Sequence, residues 1–175
     1  MTEEELISEC LKGGKGQRLL YEHYVKKMGN LCLRYCSNNE LAQDALVEGF
    51  MKVFQSIDKF QYMGVGSLTA WISRIMVNNS LEILRKEKRH FDVLDSAKVV
   101  TAIDANWSFD HEELVNCIKS LPDGYRTVFN MAVIDGYNHS EIASELGITE
   151  SASRSQLARA RTRLQEMLKE GGWYG

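Results

Sequence analysis

Proline is almost absent from this chain: Pro122 is the only one in 175 residues. Runs of alternating β-branched residues are absent as well, so the pattern favours an all-α protein over a sheet. No apolar run approaches the ~20 residues that a membrane-spanning helix needs. The opening Met1-Thr2-Glu3-Glu4-Glu5 is acidic, where a signal peptide would start basic and then turn apolar. A cytoplasmic protein without membrane insertion is expected. Cysteine is scarce, at Cys10, Cys32, Cys36 and Cys117, and a reducing cytosol argues against disulfides. Cys32 and Cys36 share a helix face, but no second Cys/His pair stands at ligand spacing. They read as small apolar core residues rather than half of a metal site. His23, His90, His111 and His139 are scattered. No phosphate-binding glycine loop, nucleophile-base pair or pocketed carboxylate pair stands out. No enzymatic activity, metal or cofactor is expected.

An excess of basic charge is also missing: 21 Lys and Arg face 24 Asp and Glu, for a net charge of -3. Phosphate neutralisation supplies much of the affinity of any nucleic-acid binder. If this chain binds nucleic acid, its charge is segregated or a partner supplies affinity.

What is present is helical periodicity. Thr2 can cap a short helix to about Leu11, and Gly13-Gly14 breaks it. A second helix runs from about Gly16 to Cys36, with Leu20, Tyr24, Met28, Leu31 and Tyr35 at core spacing. Ser37-Asn38-Asn39 is a stop and a new cap. A third helix spans about Glu40 to Ile57, with Ala42, Leu46, Phe50, Phe54 and Ile57 on its apolar side and Asp44, Glu48, Lys52 and Gln55 on another. The loop Phe60–Gly66 follows, and Ser67 is expected to cap a fourth helix reaching about Arg89. That helix carries the polar stripe Arg74, Asn78, Glu82, Arg85 and Arg89. Met28, Met51, Met63 and Met76 read as core filler. The expected organisation is one helical domain over residues 1–90, a linker over 91–108 and a second domain over 109–175. In the latter, a helix from about His111 to Ser120 points Leu114, Cys117, Ile118 and Leu121 inward, and Pro122 opens a helix to about Ile134.

Residues 138–169 carry the strongest local pattern. Asn138-His139-Ser140-Glu141 forms a capping box. Gly147 suits the left-handed conformation of a tight turn, and Thr149 caps a last helix to about Lys169. Leu157, Ala160, Leu164 and Leu168 hold that helix to the domain. Such a helix-turn-helix puts the start of its second helix into the major groove. Ser151, Arg154, Ser155 and Gln156 are the candidates to reach bases, since Arg pairs bidentately with guanine and Gln with adenine. Arg159 and Arg161 suit phosphates.

In the first domain, the helix end Leu84-Arg85-Lys86-Glu87-Lys88-Arg89 is basic, which suits either phosphate binding or a solvated helix terminus. The loop before that helix sets aromatics beside glycines. Aromatics next to a cationic surface hold unpaired bases by stacking; equally, Phe60 and Tyr62 can pack into the core.

Two segments resemble the extracytoplasmic-function sigma factors of bacterial RNA polymerase. Leu41-Ala42-Gln43-Asp44-Ala45-Leu46-Val47-Glu48-Gly49-Phe50, with Lys59-Phe60 and Trp71-Ile72-Ser73-Arg74-Ile75, is similar to the family's region two. Leu121-Pro122, Glu141-Ile142-Ala143, Gly147-Ile148 and Leu157-Ala158-Arg159-Ala160-Arg161 are similar to region four. The pair, in this order and with a short linker, is more specific than either alone. The resemblance implies a sigma factor that binds core polymerase, directs it to two-part promoters and assists melting. It implies that Asp44, Glu48 and Lys52 face the clamp helices of the largest subunit, and that the flap is a further polymerase contact. It places Gln61–Ser67, with Gln61 and Tyr62, where the family captures a flipped minus-ten base. Arg74 and Asn78 match minus-ten positions, and Arg85, Lys86, Lys88 and Arg89 would follow the backbone. The second domain would read minus-thirty-five. An anti-sigma factor is a further implied partner. Departures from the family pattern stand at Val47, Gly49, Thr69, Val77, Ser153 and Gln156; Ser153 replaces a usually apolar residue and Gln156 a usually basic one. Working inside a holoenzyme also relieves the charge problem. The alternative is a stand-alone helix-turn-helix regulator with an N-terminal partner-binding domain, which would bind a palindrome as a dimer.

Overall fold

A computed structural model describes residues 1–36, 38–93 and 109–171; of residues 89–93 and 109–113 only the helical backbone is described. The chain divides into two compact units, Met1–Ile103 and Asp104–Gly175. The secondary structure of the described residues is helical, with no strand among them.

The first unit contains α1 (Glu3–Leu11), α2 (Gly14–Cys36), α3 (Asn39–Ser56) and α4 (Ser67–Val93), with a 3-10 turn at Ile57–Lys59. Thr2 caps α1 in a reciprocal box: its hydroxyl accepts from the Glu5 N–H at 3.2 Å, and the Thr2 N–H donates to Glu5 at 2.8 Å. Asn38 caps α3 by accepting from the Glu40 N–H at 2.8 Å. Helices α2, α3 and α4 pack on one another and α1 lies against α2. Leu20, Tyr24, Met28, Leu31 and Tyr35 are all buried, as their spacing predicts, and so are Ala42, Ala45, Phe50 and Val53 of α3 and Leu68, Ile72 and Met76 of α4. Cys32 and Cys36 lie in this core, and burial pushes the Cys32 thiol up to about 11 against the opposing influence of Ser80 and Arg34. That thiol is neutral and inert at physiological pH.

Close crossings depend on small residues. A side chain at Gly16 would collide with the backbone of Glu9 and Cys10, so α1 and α2 touch through backbone there. The space beside Gly49 is filled by the Met76 thioether of α4. A buried polar contact also joins α3 to α4: the fully buried Asn79 donates from Nδ2 to the Ala45 carbonyl at 2.8 Å, and its Oδ1 accepts from Lys52 Nζ.

The second unit contains α5 (Phe109–Ser120), α6 (Asp123–Phe129), a π-helical continuation at Asn130–Ile134, α7 (His139–Leu146) and α8 (Glu150–Glu170). Ile118, Leu121, Ala160 and Leu164 form its core cluster, flanked by Cys117, Tyr125, Phe129 and Met167. Arg126 is buried, donates to the carbonyls of Leu121 at 2.9 Å and Lys119 at 3.3 Å, and pairs with Asp123. It ties the end of α5 to the start of α6.

Several expectations are corrected. Leu114 is exposed, so α5 presents Ile118 and Leu121 to the core without it. Met51 and Met63 are exposed, whereas Met28 and Met76 are core residues. Pro122 sits one residue before α6, in extended conformation. Ser67 is the first residue of α4 rather than its cap, because its hydroxyl is turned back to the Gly64 carbonyl at 2.6 Å. Helix α4 reaches Val93, into the segment expected as a linker; residues 94–108 lie outside the described ones.

Candidate nucleic-acid interface

In the second unit, local chemistry builds the helix-turn-helix. The Asn138 side chain accepts from the Glu141 N–H at 2.9 Å, and the Glu141 carboxylate accepts from the Asn138 N–H at 2.8 Å. This box starts α7. Gly147 ends it with φ 65° and ψ 36°, a left-handed geometry that costs glycine nothing. Two residues later the Thr149 hydroxyl accepts from the Ala152 N–H at 3.0 Å and starts α8.

Helix α8 buries Ser153, Leu157, Ala160 and Leu164. The opposite side at its N-terminal end is therefore open, with Ser151, Arg154 and Ser155 exposed. Arg154 pairs with Glu150 at 3.3 Å across a solvated surface, an interaction weak enough to be exchanged for a ligand. Arg159 and Arg161 are exposed further along. Arg154 and Arg161 are two turns apart and lie on one flank. Gln156 lies on the other flank: it is half-buried, with its amide against Gly124 near the start of α6. The helix-turn-helix thus brings five of the six predicted residues to the surface and seats Gln156 in a seam.

In the first unit, Arg74, Asn78, Arg85 and Lys88 are exposed on one face of α4. Lys86 turns toward Glu82 at 3.2 Å, and the Arg89 side chain lies outside the described residues. Lys52 also reaches Glu82, at 3.0 Å. Hydrogen bonds from Lys52 and Lys86 hold the Glu82 carboxyl below the ordinary range. Asp44 and Glu48 stand free on the exposed side of α3 next to Val47 and Met51, which are also exposed. Of the three residues expected to face the polymerase, Lys52 is the one engaged within its own unit.

The loop 60–66 leads into that face. The Phe60 ring packs on Trp71 with centroids 4.8 Å apart, which anchors the loop's start. Gln61, Met63 and Val65 are exposed. Tyr62 is half-buried over an open groove lined by Glu4, Ile7, Ser8 and Leu11 of α1. Gly64 and Gly66 have φ of 111° and 90°, conformations that a side chain would strain.

Glu3 of α1, which composition marks only as part of an acidic start, closes the loop. Its Oε2 accepts from the N–H groups of Gly66 at 2.9 Å and Leu68 at 3.3 Å. Its Oε1 accepts from the Thr69 N–H at 3.0 Å and the Thr69 hydroxyl at 2.8 Å. The Tyr24 hydroxyl lies 3.2 Å from the same carboxylate and 3.0 Å from the Thr69 hydroxyl. This carboxylate is the missing cap of α4. Partial burial opposes its ionisation, but the hydrogen bonds from Thr69, Leu68 and Gly66 prevail and lower its pKa.

Among the described residues, no three His, Cys, Asp or Glu side chains gather as a metal-binding group, and no helix is long and apolar enough to cross a membrane. Two helical units, one of them a helix-turn-helix and the other bearing an Arg- and Asn-lined helix behind an exposed loop, define a nucleic-acid-binding class of protein.

Comparison with known proteins narrows the class. Residues 20–90 match the model of Sigma-70 region 2, and residues 111–164 match that of Sigma-70, region 4. The chain is 25% identical to the ECF RNA polymerase sigma-E factor of Haemophilus influenzae, covering 97% of this chain and 96% of that one. It is 26% identical to the ECF RNA polymerase sigma factor SigM of Bacillus subtilis, over 87% and 94% respectively. Among solved structures, it is similar to the sigma factor RpoE of Bartonella quintana, crystallised with the anti-sigma factor NepR. That likeness has a TM-score of 0.60 and 22% identity, and covers 89% of this chain and 98% of the other. It is also similar to CnrH in complex with the cytosolic domain of CnrY, with a TM-score of 0.51, 18% identity, and 94% and 96% coverage. The chain belongs to the extracytoplasmic-function sigma factors. It directs core RNA polymerase to promoter DNA, and a stand-alone regulator is not favoured.

Proposed function

We infer that the two units divide promoter recognition between them, the first reading the minus-ten element and helping to open it, the second reading minus-thirty-five. The observation that carries this reading is the loop 60–66. It is fixed at both ends, exposes Gln61, Met63 and Val65, and stands at the start of the helix whose exposed face carries Arg74 and Asn78. An aromatic and a flexible polar side chain beside cationic helix residues suit an unstacked base and its flanking phosphates. Arg85, Lys86, Lys88 and Arg89 then continue along the backbone. In the second unit, Ser151, Arg154 and Ser155 reach base edges, and Arg159 and Arg161 hold phosphates. Gln156 contributes once it leaves its seat at Gly124.

The polymerase-facing surface is α3, where Asp44 and Glu48 are exposed together with Val47 and Met51. Acidic groups around an apolar patch suit the clamp helices, while Lys52 keeps α3 in register with α4. The second unit engages the flap. Chemistry is left to the polymerase, and the chain works in the cytoplasm beside it. An anti-sigma factor that covers these faces would hold it inactive, as the partners in the two similar structures suggest.

The test is transcription in vitro with core polymerase on a promoter library, with and without the chain. Promoter-directed transcripts that require the chain and are lost on combined Arg74→Ala and Asn78→Ala substitution are expected. No gain in directed transcripts would overturn the reading.

A further inference from the structure

We propose that Glu3 is a positioning residue for promoter opening: helix α1, through Glu3 and the groove under Tyr62, holds loop 60–66 in the shape that receives a base. The inference rests on the minus-ten role given to the first unit. Its ground is the number and placement of contacts made by one carboxylate. Both Glu3 oxygens are engaged, and their partners are the last residue of the loop and the first turn of the helix it enters.

Gly66 is the sensitive point. At φ 90° it sets the direction in which the loop leaves α4, and its N–H is held by Glu3 at 2.9 Å. The Met63 N–H and the Gly64 carbonyl are fixed in turn by the Ser67 hydroxyl, at 3.2 Å and 2.6 Å. Tyr62 rests over Glu4, Ile7, Ser8 and Leu11 of the same α1. The loop is therefore clasped to α1 through Tyr62 and Gly66, while the side chains of Met63 and Val65 at its tip have 87% and 98% of their surface exposed. A loop already ordered loses less entropy when a base enters it.

A carboxylate suits the position and an amide does not. All the partners that have a fixed sense are N–H donors, so the amide nitrogen of a glutamine would meet N–H groups on one side. An aspartate is one methylene too short to span from α1 to both Gly66 and Thr69.

The experiment compares wild type, Glu3→Gln, Glu3→Ala and the charge control Glu22→Gln as full chains with core polymerase. Glu22 pairs with Arg18 on an exposed face away from this network. Three readouts are taken: affinity for core, fluorescence of 2-aminopurine in the minus-ten non-template strand, and melting temperature. The expected result is a loss of about tenfold in the opening equilibrium for both Glu3 variants, the scale of one charge-assisted hydrogen bond to the active conformation. Core affinity should stay within about twofold, and Glu22→Gln should match wild type. A Glu3 variant that opens promoters as wild type does would overturn the proposal. So would a loss of core affinity in the same ratio as opening, since that marks a general loss of fold. If wild type itself opens no promoter with core, the minus-ten reading fails instead, and the two failures are distinct.

Discussion

Ser153 faces inward from the recognition helix and shares a 2.8 Å hydrogen bond with Nδ1 of His139 at the start of α7. The pair crosses the turn and couples the rotation of α8 to α7. Ser153 is fully buried, so the hydroxyl that departs from the family pattern is satisfied by a histidine fourteen positions earlier in the chain.

Removing one partner strands the other. Ser153→Ala is expected to destabilise the second unit by about 1–2 kcal/mol, the cost of a buried polar atom left without a partner. His139→Leu alone should cost a similar amount. The double variant, with both polar groups gone, should cost less than the sum of the two, by about 1 kcal/mol or more. Thermal unfolding of the four chains measures the coupling; strict additivity would mean that the hydrogen bond contributes nothing.

Gly16 and Gly49 both sit where helices cross, but their neighbours differ in kind. An added methyl at Gly16 meets the backbone of Glu9, which cannot yield without moving α1. At Gly49 it meets the thioether of Met76, which can rotate. Gly16→Ala should therefore cost more than about 2 kcal/mol, and Gly49→Ala roughly half that or less. Because α1 also carries Glu3, Gly16→Ala should impair promoter opening more than its stability loss accounts for. Denaturant titration together with the 2-aminopurine assay separates the two effects.

These contacts also mark where sequence reading ends. The helices were legible because their signals are local: Thr2, Asn38, Asn138 and Thr149 cap as their spacing predicts, Gly147 turns left-handed, and the α2 stripe is buried throughout. The exposed candidates Arg74, Asn78, Ser151, Arg154 and Ser155 follow from the same periodicity. Contacts between distant segments leave no such trace. Glu3 reaches Gly66 across 63 positions, and Lys52 reaches Asn79 across 27. Buried Arg126 looks like any helix arginine until the carbonyls of Lys119 and Leu121 turn toward it. Met51 and Met63 are exposed, and apolar character alone does not say which side of a helix or loop faces the core.

The hydrogen bonds to Glu3 imply an acid dependence. Its pKa is lower in the folded chain than in the unfolded one, so the unfolded state binds the proton more readily. The stabilisation is then fully present above the unfolded value and is lost as pH falls through the folded one. Glu82, lowered by Lys52 and Lys86, acts in the same direction. The stability difference between wild type and Glu3→Gln should be constant near neutrality and shrink on acidification below the ordinary carboxylate range. Melting temperatures of the two chains across that range test it; a difference that grows on acidification would reverse the sign and refute the assignment.

Arg154 and Arg161 lie on one flank of α8, two turns apart, yet they should fail in different ways. Arg154 stands in the first turns, where a recognition helix enters the groove, beside Ser151 and Ser155. If it pairs with a guanine edge, Arg154→Ala should cost about 1–3 kcal/mol on the preferred minus-thirty-five sequence and flatten the preference at one base pair. Arg161, further along the helix, is placed for a phosphate. Arg161→Ala should weaken binding about equally on all sequences and reduce the salt slope by roughly one. Gln156→Ala should flatten the preference less than Arg154→Ala, because that amide has to leave its seat against Gly124 before it can contribute. Holoenzyme binding to a panel of minus-thirty-five variants, repeated across salt concentrations, distinguishes the three. A sequence-dependent loss for Arg161→Ala together with a uniform loss for Arg154→Ala would mean that the helix enters the groove by its C-terminal half, and the placement of the base-reading residues would have to be reversed.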